Sequence, residues 1–194
     1  MDVGPVVLDG RTVRVEPLSM EHSEGLFRVA DPSLFVITVG PRGEWNRANW
    51  DTYMEKTLAM AGRIPFAIVL KESGQPVGTT SYFDIHPEHR GLEIGYTWLG
   101  KAYQGTQVNP ENKYLLLRHA FETLGAIRVQ LKTDKRNLHS QRAMAKLGAK
   151  FEGILRKHSI LDDGYVRDTA MFSITDDEWP EVKAALVVRL GYVP

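Results

Sequence analysis

The order of two hydrophobic repeats along the chain is the feature that most constrains its fold. Segments in which apolar and polar residues alternate predict β-strands, and apolar residues spaced three or four apart predict helices. The chain gives one strand, two helices, three strands, and then helices separated by one or two strands. This order predicts a mixed α/β (α+β) chain, antiparallel in its middle and with helical crossovers later. The predicted strands cover 11–15, 66–70, 77–83, 92–98, 127–132, 150–161 and 165–174, and the predicted helices cover 18–30, 45–60, 109–124, 137–148 and 176–190.

Composition narrows the class of protein further. With 194 residues and no linker-like segment, residues 1–194 are expected to form a single domain. The absence of cysteine excludes disulfides, thiolate metal sites and a thiolate nucleophile. Equal numbers of acidic and basic residues argue against a protein that binds nucleic acid through bulk charge. No apolar run approaches the length of a membrane span, so we expect a cytoplasmic protein with neither a membrane nor a nucleic-acid partner.

Two of the predicted helices begin with signals that are typical of ligand sites. Asn109 is predicted as an N-cap, with Pro110 and Glu111 in the first turn, and Asn137 is predicted to cap a later helix. A helix N-terminus offers unpaired N–H groups and the positive end of its dipole to a phosphate. The polar loop before Asn109 is therefore a candidate phosphate-binding loop, although such a loop on its own is more often an ordinary connection.

Together these segments resemble the core of the GNAT acetyltransferases, and within that superfamily the RimJ/RimL-like branch. The resemblance lies in the strand at 92–98, the polar loop, the capped helix, and the run from Asn137 through Ser140 to Lys146-Leu147-Gly148. It implies the GNAT fold, with a single mixed and mostly antiparallel central sheet and flanking helices. It also implies acetyl-CoA as the acetyl donor and an amine as the acceptor, either a protein N-terminal α-amine or a small molecule.

The resemblance further implies which residues bind acetyl-CoA. The family's loop has small residues where this chain has Thr106 and Val108, and only Gly105 remains. Because β-branched residues disfavour a positive φ, this departure leaves the path of the loop open. A phosphate-bearing ligand suits the charge distribution, since residues 99–158 hold 12 basic and 4 acidic side chains. The assigned residues are Trp98, Leu99, Gln104, Gly105, Thr106, Gln107, Val108, Asn109, Asn137, Arg142 and Lys146, with Lys101, Lys113 and Arg136 as further basic candidates.

Glu93 and Ser140 are the catalytic candidates. Acetyl transfer to an amine needs a base for the amine proton and a group that assists the departing thiolate. Glu93 lies on the strand that borders the acetyl group in the family, and an apolar cleft would raise its pKa; alternatively it is an ion-paired strand residue. Ser140 is assigned to the leaving sulfur because Met144 occupies the position of the family's frequent tyrosine; alternatively it only helps to cap its helix. Period two predicts that Leu92, Ile94, Tyr96 and Trp98 share the face opposite Glu93, Gly95 and Thr97.

The acceptor side is assigned to Trp45, Tyr82 and His86, with burial against the sheet as the alternative for Trp45. No metal is predicted, because His86 and His89 have no second ligand cluster elsewhere in the chain. Besides an N-acetyltransferase, the sequence leaves open a non-catalytic acyl-CoA-binding module and an RNA- or ribosome-binding protein. It also leaves open a homodimer.

Overall fold

The structure, a computed structural model, describes residues 1–36, 40–161 and 163–192. Within these residues the strands and helices follow the predicted order, with one additional short strand at the start. The strands are β1 (Leu8–Asp9), β2 (Val13–Pro17), β3 (Ile64–Leu70), β4 (Pro76–His86), β5 (Gly91–Leu99), β6 (Arg128–Asp134), β7 (Lys150–Ile160) and β8 (Val166–Thr175). The helices are α1 (Ser23–Val29), α2 (Arg47–Ala59), α3 (Val108–Arg118), α4 (Leu138–Leu147) and α5 (Trp179–Leu190).

The eight strands form one sheet in the order β1-β2-β3-β4-β5-β6-β8-β7. Neighbouring strands are antiparallel except for β5 and β6, which run parallel because α3 crosses over between them. The predicted fold class, a mixed and mostly antiparallel sheet with flanking helices, is confirmed. The turn predicted at 162–164 between β7 and β8 includes Asp162, which lies outside the described residues.

The parallel pair of β5 and β6 is short. Residues 91–93 of β5 align with residues 128–130 of β6, and no further pairing follows between these strands in the described chain. Residues 94–99 and 131–134 therefore diverge, which leaves an opening in the middle of the sheet. The backbone groups of β5 that face this opening have no strand partner there.

A β-bulge in β5 lies beside the opening. Where β4 has the single residue Thr80, β5 has two, Tyr96 and Thr97. Tyr96 has a φ of 51°, in the left-handed region that residues with side chains rarely adopt. A bulge bends its strand and increases the local twist. The bulge therefore contributes to the divergence of β5 from β6.

The bulge also overturns the predicted alternation of faces along β5. Ile94 and Leu99 are buried in the core that β5 shares with α3. Trp98 is buried on the other side of the sheet, where its ring centroid lies 5.9 Å from that of Trp50 in α2. The prediction that Trp98 shares the face of Ile94 is therefore wrong, because the extra residue reverses the alternation between them.

Candidate active site

Glu93 lies where β5 and β6 begin to separate. Its side chain is 1% exposed, and burial raises its pKa above the ordinary value. Lys132 Nζ lies 2.8 Å from Glu93 Oε2, and Gln130 Nε2 donates to the same oxygen at 3.1 Å; both contacts favour the charged form. The other oxygen, Oε1, is buried and has no hydrogen-bond partner in the described chain. One carboxylate oxygen is thus held in place while the other remains available to accept a proton.

Gly95 keeps the space beside that available oxygen open. A β-carbon at position 95 would lie 2.6 Å from Phe83 Cε1 and 3.4 Å from Glu93 Oε1. The Phe83 ring is in turn flanked by Lys132, whose Nζ lies 5.0 Å from the ring centroid. Sequence reasoning missed Gly95, because the contact between β4 and β5 that requires it is visible only once the strands are paired.

Lys113 reaches the same opening from α3. Its Nζ donates a hydrogen bond to Thr97 Oγ1 at 2.8 Å, and its side chain is buried. Burial lowers the pKa of Lys113 to about 7, although the charge of Glu93 opposes this shift. Lys113 is therefore a buried side chain and not part of a solvated helix face, and its contact with a phosphate stays a prediction. It is a titratable group inside the opening, which only the packing of α3 on the sheet reveals.

The path of the polar loop before α3 is set by one glycine. Gly105 has a φ of 74°, whereas Thr106 and Val108 keep negative φ, so the β-branched residues are not strained. The helix begins at Val108, with Gln107 as its N-cap, and the Val108 amide donates to Thr106 Oγ1 at 3.3 Å. The predicted N-cap at Asn109 is therefore wrong. The helix begins one residue before Asn109, and its first amide, that of Val108, is already bonded to the Thr106 hydroxyl.

Side chains of this loop bond to neighbouring backbone rather than projecting freely. Gln104 Nε2 donates to Leu99 O at 3.1 Å, and Thr106 Oγ1 donates to Tyr103 O at 2.7 Å. Gln107 Nε2 donates to Arg189 O at 3.1 Å. The backbone N–H groups of residues 105–107 find no acceptor within the described chain. The loop therefore offers a phosphate its amides, which is the mode that suits a helix start.

The N-terminus of α4 shows the predicted cap. Asn137 Oδ1 accepts a hydrogen bond from the Ser140 amide at 3.0 Å, which confirms Asn137 as the N-cap. Ser140 is half-buried in the first turn, whereas Arg142 and Lys146 are exposed. At 3.6 residues per turn these two side chains point about 200° and 240° away from Ser140. Arg142 and Lys146 would therefore contact one part of a ligand, and Ser140 would contact another.

Two of the other basic candidates are already paired. Lys101 Nζ lies 3.0 Å from Asp31 Oδ1, and Arg136 NH2 lies 2.8 Å from Asp134 Oδ2. A phosphate would have to compete with these carboxylates for either side chain.

Tyr82 does not reach the acceptor side. Its side chain is fully buried in the core with α3, and its hydroxyl donates to Leu116 O at 2.6 Å. Tyr82 stands opposite Ile94 in the sheet, so it shares the face of Ile94 rather than that of Glu93. Its assignment to substrate binding is therefore wrong.

Trp45 and His86 also lie apart from the opening. The Trp45 ring stacks at 5.8 Å from Phe27 and 6.0 Å from Phe35, which favours the alternative of an aromatic packing role. His86 is exposed, pairs with Gly91 at the end of β5 opposite the bulge, and has its Nε2 3.1 Å from Asp84 Oδ1. The structure thus groups Glu93 with Lys132 and Lys113, and leaves both of these aromatic candidates outside that group.

Within residues 1–36, 40–161 and 163–192, no group of three or more His, Cys, Asp or Glu is arranged to hold a metal ion. The described helices also include none with the length and hydropathy that a membrane span requires.

Comparisons with known proteins agree with this geometry. The family model of the acetyltransferase (GNAT) domain matches residues 12–150. YjcK of Bacillus subtilis (strain 168), described as an N-acetyltransferase, is 33% identical over 191 residues, which are 89% of this chain and 99% of that protein. A structure from T. thermophilus described as an acetyltransferase is 42% identical, with a TM-score of 0.91 over 98% of this chain and 100% of the other.

A more distant structure has a bound ligand. RimJ of Mycobacterium smegmatis, solved in complex with CoA-disulfide, is 23% identical and superposes with a TM-score of 0.75 over 97% of this chain and 93% of its own. At this identity the likeness concerns the fold. The match to the family model and the two closer relatives carry the assignment: this chain belongs to the GNAT family and is an acetyl-CoA-dependent acetyltransferase.

Proposed function

We propose that the protein transfers the acetyl group of acetyl-CoA to a primary amine, with Glu93 as the general base. The observation that carries this proposal is the unpartnered oxygen of Glu93, Oε1, at the opening between β5 and β6. A buried carboxylate with a raised pKa is a stronger base than an exposed one. Lys132 and Gln130 hold Oε2, so they orient the carboxylate without blocking Oε1.

The proposed step is a direct transfer. The amine nitrogen attacks the thioester carbonyl carbon and forms the C–N bond, and Glu93 accepts a proton from that nitrogen, directly or through one water. The C–S bond then breaks, and its electron pair leaves with the CoA sulfur. The Ser140 hydroxyl is proposed to hydrogen-bond to this thiolate. The thiolate takes up one proton from solvent to give CoA thiol, and the proton that Glu93 accepted is released to solvent, so that the net proton count is unchanged. No protein thiol takes part, because the chain has no cysteine.

Donor binding is proposed to use backbone groups. The amides of residues 105–107 suit the pyrophosphate of CoA, and the open edge of β5 at Trp98 and Leu99 suits the amides of its pantetheine arm. Buried polar atoms without partners in the described ranges also lie on α3, namely Asn109 Oδ1 and both side-chain polar atoms of Asn112. Such atoms are rare in a finished core, and a bound ligand would give them a reason to persist.

The test is to measure release of free CoA thiol from acetyl-CoA with a panel of primary amines and peptide N-termini. We expect release that depends on the amine, and a rate that falls as the pH drops through the raised pKa of Glu93. Glu93→Gln should remove this acidic limb, and Glu72→Gln, in an exposed turn, should retain it. Binding of acetyl-CoA with no amine-dependent release would instead favour the non-catalytic module. An unchanged limb in Glu93→Gln would place the base elsewhere.

A further inference from the structure

Arg63 has a buried guanidinium that no acidic group in the described part of the chain neutralises. It lies just before β3, is 7% exposed, and donates from Nε to Ser81 Oγ at 2.8 Å. Its guanidinium carbon lies 3.9 Å from the centroid of the Tyr96 ring, the residue at the bulge. The Nη2 nitrogen is buried without a hydrogen-bond partner, and Arg63 forms no ion pair with Asp or Glu in the described chain.

Arg167 lies in β8, on the β6 side of the opening, and is near enough to Tyr96 for the two side chains to interact electrostatically. Its Nε is buried without a partner among the described residues. Burial lowers the pKa of Arg167, while the negative charges of Asp134 and Glu93 and the hydroxyl of Tyr96 oppose that shift. Arg167 shares both of these carboxylates with another cation, because Asp134 is paired with Arg136 and Glu93 Oε2 is paired with Lys132.

The buried guanidinium of Arg63 and the buried Nε of the half-exposed Arg167 are costly to leave without partners. A buried charge normally pairs with an opposite charge, and a buried donor normally finds an acceptor. The planar fork of an arginine suits the two oxygens of a carboxylate or of a phosphate. The position of the two arginines also matters, because they lie near Tyr96. Tyr96 is three residues beyond Glu93 on the same strand and on the same face, and its ring packs against Phe83.

We propose that the amine acceptor carries an anionic oxygen group, a carboxylate or a phosphate, which Arg63 and Arg167 bind beside Tyr96. This inference rests on the proposed function, since it concerns the molecule whose amine reaches Glu93. Arg63 forms the floor of this subsite, and the half-exposed Tyr96 and Arg167 form its rim. The acceptor is thus a small molecule with an amine at one end and an anion at the other, rather than an uncharged protein N-terminus.

The test compares matched acceptors in the thiol-release assay. One pair is γ-aminobutyrate and butylamine, and the other is phosphoethanolamine and ethanolamine. We expect the anionic member of at least one pair to have the lower KM. Which pair shows the difference identifies carboxylate or phosphate as the bound group.

The variants Arg63→Gln and Arg167→Gln should raise the KM of the preferred anionic acceptor about tenfold to 100-fold. They should change kcat little and leave the kinetics of the uncharged partner amine unaltered. Arg28→Gln, an exposed residue of α1, is the matched control. A general loss of activity with both kinds of acceptor would mean a structural role for the arginines and would overturn the proposal.

The outcomes also separate this inference from the proposed function. Amines that react with no advantage for the anionic members would overturn the anion subsite and leave acetyl transfer standing. Absence of reaction with every amine would overturn the proposed function itself. To guard against misfolding, thermal unfolding of each variant should match the wild type within a few degrees.

Discussion

Two buried glutamates, Glu93 and Glu111, have opposite surroundings. Each is 1% exposed. Glu111, in the first turn of α3, accepts hydrogen bonds from the amides of Thr12 and Val13 at 2.9 and 2.8 Å, and from the Arg11 amide at 2.6 Å. Tyr192 also donates to it. Among the described residues, Glu93 has two partners on one oxygen and none on the other.

The difference distinguishes a carboxylate that supports the fold from one that is available for chemistry. Both oxygens of Glu111 are engaged, and the residue connects α3 to the start of β2. A burial value alone would rank the two side chains equally. What separates them is whether each buried oxygen has a donor.

The largest expected effect follows from exchanging the Glu93 carboxylate for an amide. Glu93→Gln should lower kcat by about 10²- to 10⁴-fold, because it removes the general base. The free energy of unfolding should not fall, since an amide is less costly to bury than a carboxylate with an unpartnered oxygen. Steady-state kinetics and urea denaturation measure the two quantities. A variant that loses stability and keeps its kcat would reverse the roles assigned to the two glutamates.

Glu111→Gln should give the converse result. An amide nitrogen facing the backbone donors of β2 leaves buried N–H groups without acceptors, so we expect a loss of about 3–5 kcal/mol in the free energy of unfolding. The turnover of the remaining folded protein should stay close to that of the wild type. Urea denaturation, together with kinetics measured in the absence of urea, provides the check, and a stability equal to the wild type would contradict the structural role.

The pH dependence of the free energy of unfolding tests the same comparison at Lys113, because this residue lies two residues after Glu111 and faces Glu93. Its pKa of about 7 in the folded protein is below the ordinary 10.5, so between these values only the unfolded chain holds the proton. The free energy of unfolding therefore rises with pH from about 7 to about 10.5, and below pH 7 the cost of burying the charge is fully present.

Lys113→Met should abolish that rise and stabilise the protein below pH 7 by roughly 3 kcal/mol, net of the lost hydrogen bond to Thr97. Lys56→Met, an exposed change on α2, should keep the wild-type pH dependence. Thermal unfolding measured from pH 6 to 10 gives both curves. Parallel curves for the wild type and Lys113→Met would show that Lys113 keeps an ordinary pKa.

The smallest effect is expected at Ser140. Ser140→Ala should lower kcat about tenfold, as expected when one hydrogen bond to a developing charge is lost, while the Kd for CoA stays nearly unchanged. The helix cap should survive, because Asn137 bonds to the backbone amide of residue 140 and not to its hydroxyl. Isothermal titration and kinetics separate the two constants, and an unaltered kcat would remove Ser140 from the mechanism.

Most of the fold could be predicted from the sequence, because hydrophobic period and capping residues are local signals. The cap at Asn137 and the order of elements are examples that the structure confirms. The incorrect predictions concern which face of the sheet a side chain occupies, because strand pairing determines that face. Tyr96 adopts a left-handed conformation without the glycine that would have indicated a bulge, so the face of Trp98 could not be assigned from period two.

Only part of the candidate site could likewise be predicted from the sequence. Glu93 was identified because its strand and the family resemblance agree, but its free oxygen depends on Lys132 and Gln130 in another strand. Lys113, Arg63 and Gly95 carried no sequence signal for their positions. Each acquires its surroundings from residues far away in the chain.

The bulge at Tyr96 has a consequence for how this site can change during evolution. Between Thr79 and Ser81, β4 has one residue where β5 has two, so the opening depends on a difference in strand length. Deleting Tyr96 would make the ladder regular between Gly95 and Leu99, and the pairs of β5 residues with β4 on either side of the bulge would be kept. Loss of a single codon could therefore close the ligand site of a chain that still folds, and most substitutions elsewhere on β5 could not.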